Sequence, residues 1–266
     1  MSSVKLFDGD TQEQALGRVR AEIDAIDLQI QTLLNRRAEC AQRVADIKHA
    51  FGADSPVFYR PEREAQVLRR AMERNEGPLP GKEIARLFRE VMSVCLAHEH
   101  PMSIGFLASE SEAAALKQFG HSVTPISFST ATEMFNALAE GELHYALVEL
   151  SSVSESVDKS SNLLALLTAH HFNVVGEVVL ADRQYRVLGQ QDISPSGVDK
   201  SAAIISGISS IELSNLDDLE LHVTSGDLTY IEFSNYLTEQ ALSSKLADLG
   251  DHISFHFLGS FPRAVI

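Results

Sequence analysis

Residues 11–50 read TQEQALGRVRAEIDAIDLQIQTLLNRRAECAQRVADIKHA. Thr11 and Gln14 stand three apart as a capping-box pair just before an apolar run. Behind them Leu16, Val19, Ile23, Ile26, Ile30, Leu33, Leu34, Ala41, Val44 and Ile47 recur at helical spacing. The pattern predicts one helix from Thr11 to about His49, roughly 55 Å long at 1.5 Å per residue. A small globular domain does not cover so long a stripe alone, so a partner chain is the simplest cover.

Gly52 to Tyr59 reads as a loop, and Pro61 suits the first turn of a second helix running to about Asn75. Gly77-Pro78-Leu79-Pro80-Gly81 breaks it. A third helix from Lys82 to about Glu99 carries Ile84, Leu87, Phe88, Val91, Cys95 and Leu96 on one side, and Pro101 ends it. Beyond Pro101 short β-type runs (Ser103 to Leu107, Tyr145 to Leu150, Val174 to Leu180) alternate with helical stretches, which predicts α/β or α+β architecture. Gln190 to Lys200, containing Pro195-Ser196-Gly197, is the best linker candidate, and Ser201 to Ile266 suits a small βαββαβ unit ending in a strand at Ile253 to Leu258.

The chain has 266 residues, enough for two or three compact units, and a net charge of -15. Residues 1–100 hold 15 Lys and Arg against 16 Asp and Glu; residues 101–266 hold 7 against 21. So acidic a second part disfavours nucleic acid and anionic lipid. There is no run of eighteen apolar residues, and Met1 to Asp10 carries acids where a signal peptide needs a basic segment, so a cytoplasmic protein is expected. Cys40 and Cys95 lie in helical patterns without metal-ligand spacing and read as reduced packing thiols.

Seven-residue steps from Ile30 reach Arg37 and then Val44, and Arg37 and Lys48, eleven residues apart, differ by only about 20° around a helix. Two cations on an apolar seam suit an anionic ligand, since unpaired buried charge costs several kcal/mol, and equally suit a structural role in which they snorkel or pair with Glu64 or Glu99. Arg20 lies too far along the helix to join Arg37 within one chain, whereas an antiparallel dimer would bring it there. Arg63-Glu64 reads by itself as an exposed ion pair. His98-Glu99-His100 reads as a solvated helix end, because residues i and i+2 do not face one metal, and no metal or cofactor is expected.

Five segments carry a family resemblance: Val19 to Asp24, Leu33 to Arg37, Val44 to Lys48, Phe58 to Glu64 and Ala85 to Met92. Through them residues 16–101 closely resemble the helical chorismate mutase domain of bacterial bifunctional chorismate mutase/prephenate dehydratases, enzymes of the shikimate pathway to aromatic amino acids. The resemblance implies an all-α three-helix protomer in an intertwined homodimer with shared active sites. It also implies the [3,3] rearrangement of chorismate to prephenate, which needs no cofactor and rests on holding and polarising the substrate. By motif position Arg20 of the partner subunit and Arg37 clamp the two carboxylates, Lys48 and Glu99 donate to the ether oxygen, Glu64 accepts from the ring hydroxyl, and Arg63 supports the site. Glu99 stands where some members have glutamine and donates only when protonated, so activity should fall as pH rises. Arg60 and Cys95 replace an acidic and a hydroxyl residue of some members at substrate-binding positions.

Ile104-Gly105-Phe106-Leu107 and Lys117 to Val123 resemble the start of a prephenate dehydratase domain. The family's Gly-Pro-x-Gly-Thr-Phe-Ser stretch is missing, Ala108-Ser109-Glu110-Ser111 filling a shorter space, and Ser151-Ser152-Val153 replaces Glu-Asn-Ser. Gly176 to Leu180 runs almost directly into Arg183 to Gly189, where the family has a whole second lobe and a Thr-Arg-Phe triplet. No dehydratase activity is expected. Asp199 to Ser201 and Leu258 to Ala264 resemble the edges of an ACT regulatory domain without its ligand motifs, which implies a dimerising or scaffold part. The expected fold is therefore multidomain: the helical mutase domain (1–101), a reduced α/β dehydratase-like lobe (102–192) and a small, degenerate ACT-like α+β domain (193–266). Competing readings are a mutase or lyase of 4-amino-4-deoxychorismate or isochorismate, and a catalytically silent binding subunit.

Overall fold

A computed structural model describes residues 11–51, 59–109, 111–150, 163–250 and 252–266. The loop expected at Gly52 to Tyr59 therefore lies, apart from Tyr59, outside the described residues, as do Phe58, Glu110 and the Ser151-Ser152-Val153 replacement. The chain divides into two compact units, residues 1–56 and 57–266. No described helix is long and apolar enough to cross a membrane.

The first unit holds α1 (Gln12–Ala50). Its start is closed by the expected capping box: Thr11 N–H donates to Gln14 Oε1 at 3.0 Å and Gln14 N–H to Thr11 Oγ1 at 3.3 Å. Leu16, Val19, Ile23, Ile26, Ile30, Leu33, Val44 and Ile47 are exposed on it.

The second unit begins with α2 (Pro61–Glu73) and α3 (Gly81–Glu99). The two helices pack against each other, and Ala65, Leu68 and Ala71 of α2 and Ala85 of α3 are buried. The covered side of α3 meets the expected one only in part, with Cys95 buried and Ile84, Val91 and Leu96 half-buried. Leu87 and Phe88 are exposed, while Ala85, Arg89, Ser93 and Cys95 are buried. The reason is polar: Arg89 and Ser93 are buried by hydrogen bonds to the next part of the chain, so burial does not follow the apolar stripe.

That part is built from β1 (Ser103–Phe106), α4 (Ser111–Phe119), β2 (Thr124–Ser127), α5 (Ala131–Ala139), β3 (Tyr145–Glu149), α6 (Leu163–His170), β4 (Asn173–Leu180) and β5 (Arg183–Gly189). The strands form a mixed sheet of order β2-β1-β3-β5-β4, with β1 parallel to β2 and β3, and β5 antiparallel to β3 and β4. Alternation along β3 splits the core: Tyr145 and Leu147 face Ala114, Ala115 and Phe119 of α4, and Ala146 and Val148 face Met134, Phe135 and Leu164 of α5 and α6. Leu180 pairs with Arg183, so β4 and β5 are joined by the two residues Ala181 and Asp182. Ala181 has φ 52°, the left-handed region that a hairpin this tight requires at its tip.

The last strands and helices are β6 (Asp199–Ser206), α7 (Ser210–Ser214), β7 (Leu219–Ser225), β8 (Leu228–Phe233), α8 (Glu239–Leu246) and β9 (Ser254–Pro262). They make an antiparallel sheet of order β7-β8-β6-β9, a split βαβ arrangement. One face carries α7 and α8 over Ala203, Ile205, Ile231 and Phe233. The other presents Ala202, Ile204, Tyr230, Leu258 and Phe261 to the α5–α6 side of the first sheet, so both sheets share one core.

The expected linker is an anchored connection. Asp199 accepts from the backbone N–H of Ser196 (2.9 Å) and of Gly197 (3.1 Å), and Gln191 Nε2 donates to Tyr59 O at 3.2 Å. Arg69 on α2 donates to the carbonyls of Ser196 (3.3 Å), Val198 (2.9 Å) and Arg263 (3.3 Å). Behind it the sheets meet through buried charge. Arg186 holds Glu232 by two hydrogen bonds, one of 2.8 Å, and Lys200 Nζ lies 2.8 Å from Glu177 and 3.4 Å from Glu232. Burial by itself would raise Glu232, yet Arg186 keeps it below the usual carboxylate range.

Candidate active site

Each group of expected site residues can be placed within its own unit. On α1, Arg37 and Lys48 are half-buried and Arg20 is exposed. Seventeen residues of helix put Arg20 about 25 Å along the axis from Arg37. Cys40, expected to pack, is exposed beside the Arg43 guanidinium at 3.0 Å, because the side of α1 that carries it is open.

In the second unit Arg60 occupies the N-cap position of α2 with φ -123°, an extended conformation imposed by Pro61 after it. Its guanidinium is exposed, 3.8 Å from Glu62. Arg63 is exposed as well. Glu64 does not form the exposed pair with Arg63 that adjacency suggested. It turns inward, and its Oε1 accepts from Arg89 Nε at 3.1 Å, with both side chains nearly buried. Consecutive helical residues point about 100° apart, which is why Arg63 and Glu64 part company. Burial pushes the Glu64 carboxyl up from its usual range, and Arg89 opposes that shift. Next to this pair, Tyr59 accepts from Gln118 Nε2 at 3.1 Å, and burial, followed by the Glu64 charge, raises its phenol.

Arg89 was invisible as a site residue because its partners are 25 and 28 positions away: Glu64, and the carbonyl of Lys117, to which Nη1 donates at 2.9 Å. The one available signal was a cation four residues from Ala85 and Ser93 on a packed helix. Cys95 is buried on α3, and Glu99 is half-buried in its last turn. The adjacent His100 serves as a structural joint. His100 Nε2 lies 2.8 Å from His144 Nε2, and Ser103 N–H donates to His144 Nδ1 at 3.1 Å. With Nδ1 accepting, the proton of neutral His144 sits on Nε2 and points at His100. Among the described residues no group of three His, Cys, Asp or Glu side chains suits a metal ion.

At the dehydratase-like segments, Ser111 is buried at the start of α4, and Arg183 is exposed in an ion pair of 3.4 Å with Glu149. Tyr185 is buried, and its hydroxyl has no hydrogen-bond partner among the described residues.

Comparison with known proteins places these features. Chorismate mutase type II matches residues 19–100, and prephenate dehydratase matches residues 103–222, running past β5 into β7. The bifunctional chorismate mutase/prephenate dehydratase of Stutzerimonas stutzeri is 40% identical over 185 residues, and that of Pseudomonas aeruginosa is 38% identical over 183. These alignments cover 68% and 67% of this chain but 50% of each relative, so the chain spans about half the length of the curated relatives it matches. Among solved structures, prephenate dehydratase from Streptococcus mutans is similar with a TM-score of 0.42 at 17% identity, covering 61% of this chain and 98% of that one. With one family matched by its helical segment and the other by the α/β lobe that follows, the chain belongs to the chorismate mutase/prephenate dehydratase family.

Proposed function

We propose that this chain is a chorismate mutase working as a homodimer, and that its α/β part is a dehydratase remnant without dehydratase activity. The observation that carries the mutase reading is the row of Arg37 and Lys48, half-buried on a long helix whose apolar stripe is otherwise open, in a segment matching the type II mutases. Such cations suit a dianionic ring ether. Arg37, with Arg20 of the partner subunit, holds the carboxylates in the folded conformer, and Lys48 donates to the ether oxygen as it gains charge. Glu64 accepts from the ring hydroxyl, while Arg60, Arg63, Cys95 and Glu99 complete the substrate contacts.

The remnant reading is supported by the Ala181-Asp182 turn, which leaves two residues where a second lobe would have to stand. The division into domains at 101 and 192, and the likeness of the last sheet to an ACT domain, belong to the same proposal and are supported by its split βαβ order. The test is a chorismate-consumption assay on the intact protein that quantifies prephenate and phenylpyruvate. Prephenate should accumulate unprocessed. Rapid phenylpyruvate would overturn the remnant reading, and preferential turnover of isochorismate or 4-amino-4-deoxychorismate would reassign the substrate.

Two further results are expected. Sedimentation should give twice 29.1 kDa. Ile23→Asp in the middle of the open stripe should yield monomers and lower kcat/KM by about tenfold or more, since Arg20 then loses the pocket it serves; an active monomer would refute shared sites. The second concerns Glu99, which donates only as the neutral acid, so kcat/KM should fall as pH rises through its pKa. Glu99→Gln should flatten that alkaline limb. A rate unchanged from pH 5 to 9 in the unaltered protein would remove the idea.

A further inference from the structure

Arg89 lies at a joint. Its guanidinium is buried between Glu64 on α2 and the last turn of α4, where Nη1 donates to the Lys117 carbonyl at 2.9 Å. The carbonyls at a helix C-terminus lack intrahelical partners and carry partial negative charge, so a guanidinium is well suited to them. The residues beside it fix the same joint. Glu90 accepts from His121 N–H at 3.1 Å, and Ser93 Oγ from Ser122 N–H at 3.2 Å. Gly120 makes the approach possible: its φ is 75°, and a Cβ there would lie 2.5 Å from Ser93 Cβ.

We propose that Arg89 is a positioning residue of the mutase, anchored on the α/β lobe, which holds the Glu64 carboxylate ionised and in place so that its second oxygen can accept from the substrate hydroxyl. This rests on the reading of the chain as a chorismate mutase. Only Oε1 of Glu64 is taken by Arg89, and a carboxylate has acceptor capacity on both oxygens. The charged and titratable groups around the pair are Tyr59 before α2, Glu90 on α3 and Lys117 on α4. None supplies a second positive charge in hydrogen-bond contact with Glu64 among the described residues. Burial already raises the Glu64 carboxyl, so without the guanidinium it would become a neutral acid at higher pH and lose its acceptor role.

The test is the pH profile of kcat/KM for chorismate in the intact protein and in Arg89→Gln and Arg89→Lys. Glutamine keeps a donor for the Lys117 carbonyl but no charge. The acid limb should move up by about one pH unit or more in Arg89→Gln, with about a tenfold loss near neutrality that recovers toward alkaline pH. It should return toward its original position in Arg89→Lys, and the alkaline limb should stay put in both. A glutamine variant whose acid limb coincides with that of the unaltered protein, or a lysine variant no better than glutamine, overturns the proposal. Should the glutamine variant fail to fold, Glu64→Gln decides: its acid limb must vanish, and a persisting limb overturns the proposal. If the unaltered protein does not turn over chorismate, it is the function that is wrong, a separate outcome.

Discussion

Arg37→Ala and Lys48→Ala are each expected to lower kcat/KM for chorismate by about 10²-fold or more, with the fold intact. The proposed rearrangement has no proton transfer and no covalent intermediate, so catalysis would lie in clamping the dianion and meeting charge that grows on the ether oxygen. The two losses should divide differently. In the proposed site Arg37 would contact a carboxylate that is charged throughout, so its removal should raise KM as well as lower kcat. In the same proposal Lys48 would matter most when the bond breaks, so its removal should act mainly on kcat. Lys48→Arg should not restore full activity, because a planar fork does not replace a compact ammonium aimed at one oxygen. Stability should change little in both variants, since alanine is a strong helix former and neither side chain is fully buried. Steady-state kinetics beside thermal melts check this; a loss below threefold in both variants would end the mutase assignment.

The largest effect on stability should come from Arg186→Met. Arg186 and Glu232 are 1% and 0% exposed by side chain, and Tyr230 donates to the same carboxylate at 2.6 Å. Removing Arg186 leaves Lys200 as the cation shared by Glu177 and Glu232, so one buried carboxylate charge is no longer compensated, and breaking a buried pair in this way typically costs about 3–5 kcal/mol. For a unit of this size that is a fall of about 6–20 °C in melting temperature. Replacing both, as Arg186→Met with Glu232→Leu, should recover much of the loss, because the pair's own desolvation disappears with it. The pH dependence has a definite sign. In the unaltered protein Glu232 sits below its unfolded value, so its stabilisation is present above that value and is lost as pH falls through the folded one. In Arg186→Met the carboxyl rises instead, so the deficit should be largest at neutral pH and shrink on acidification. A deficit independent of pH would mean that lost packing, not the stranded carboxylate, dominates.

The helices were legible in the sequence because their signals are local. Thr11 and Gln14 mark the start of α1, Pro61 that of α2, and Gly77 to Gly81 the break before α3. The strands Ser103–Phe106, Tyr145–Glu149 and Asn173–Leu180 also lie where short β-type runs put them. What failed was long-range. Arg89 is buried by contacts with Glu64 and Lys117, which no periodicity reveals. Pro195-Ser196-Gly197 has the composition of a flexible connector, but Asp199 caps its amides and Arg69, 127 positions earlier, fastens its carbonyl. The buried pairing of Arg186 and Lys200 with Glu177 and Glu232 was equally hidden, since Arg186 lies 46 positions from Glu232 and Lys200 lies 23 from Glu177. At the candidate site, Arg37 and Lys48 are half-buried on α1, and Glu64 pairs with Arg89, not with the adjacent Arg63 as its place in the sequence suggested.

The tip at Ala181 and Asp182 is exposed, and the strands it connects are held in register by β3 on the far side of β5, not by the bend itself. A chain can therefore leave the sheet there and come back after any length of foreign sequence whose ends lie close together, at an entropic cost that grows only with the logarithm of its length. This makes the bend a docking port for a transplanted module, and a reporter domain grafted at it should leave the strands on either side undisturbed.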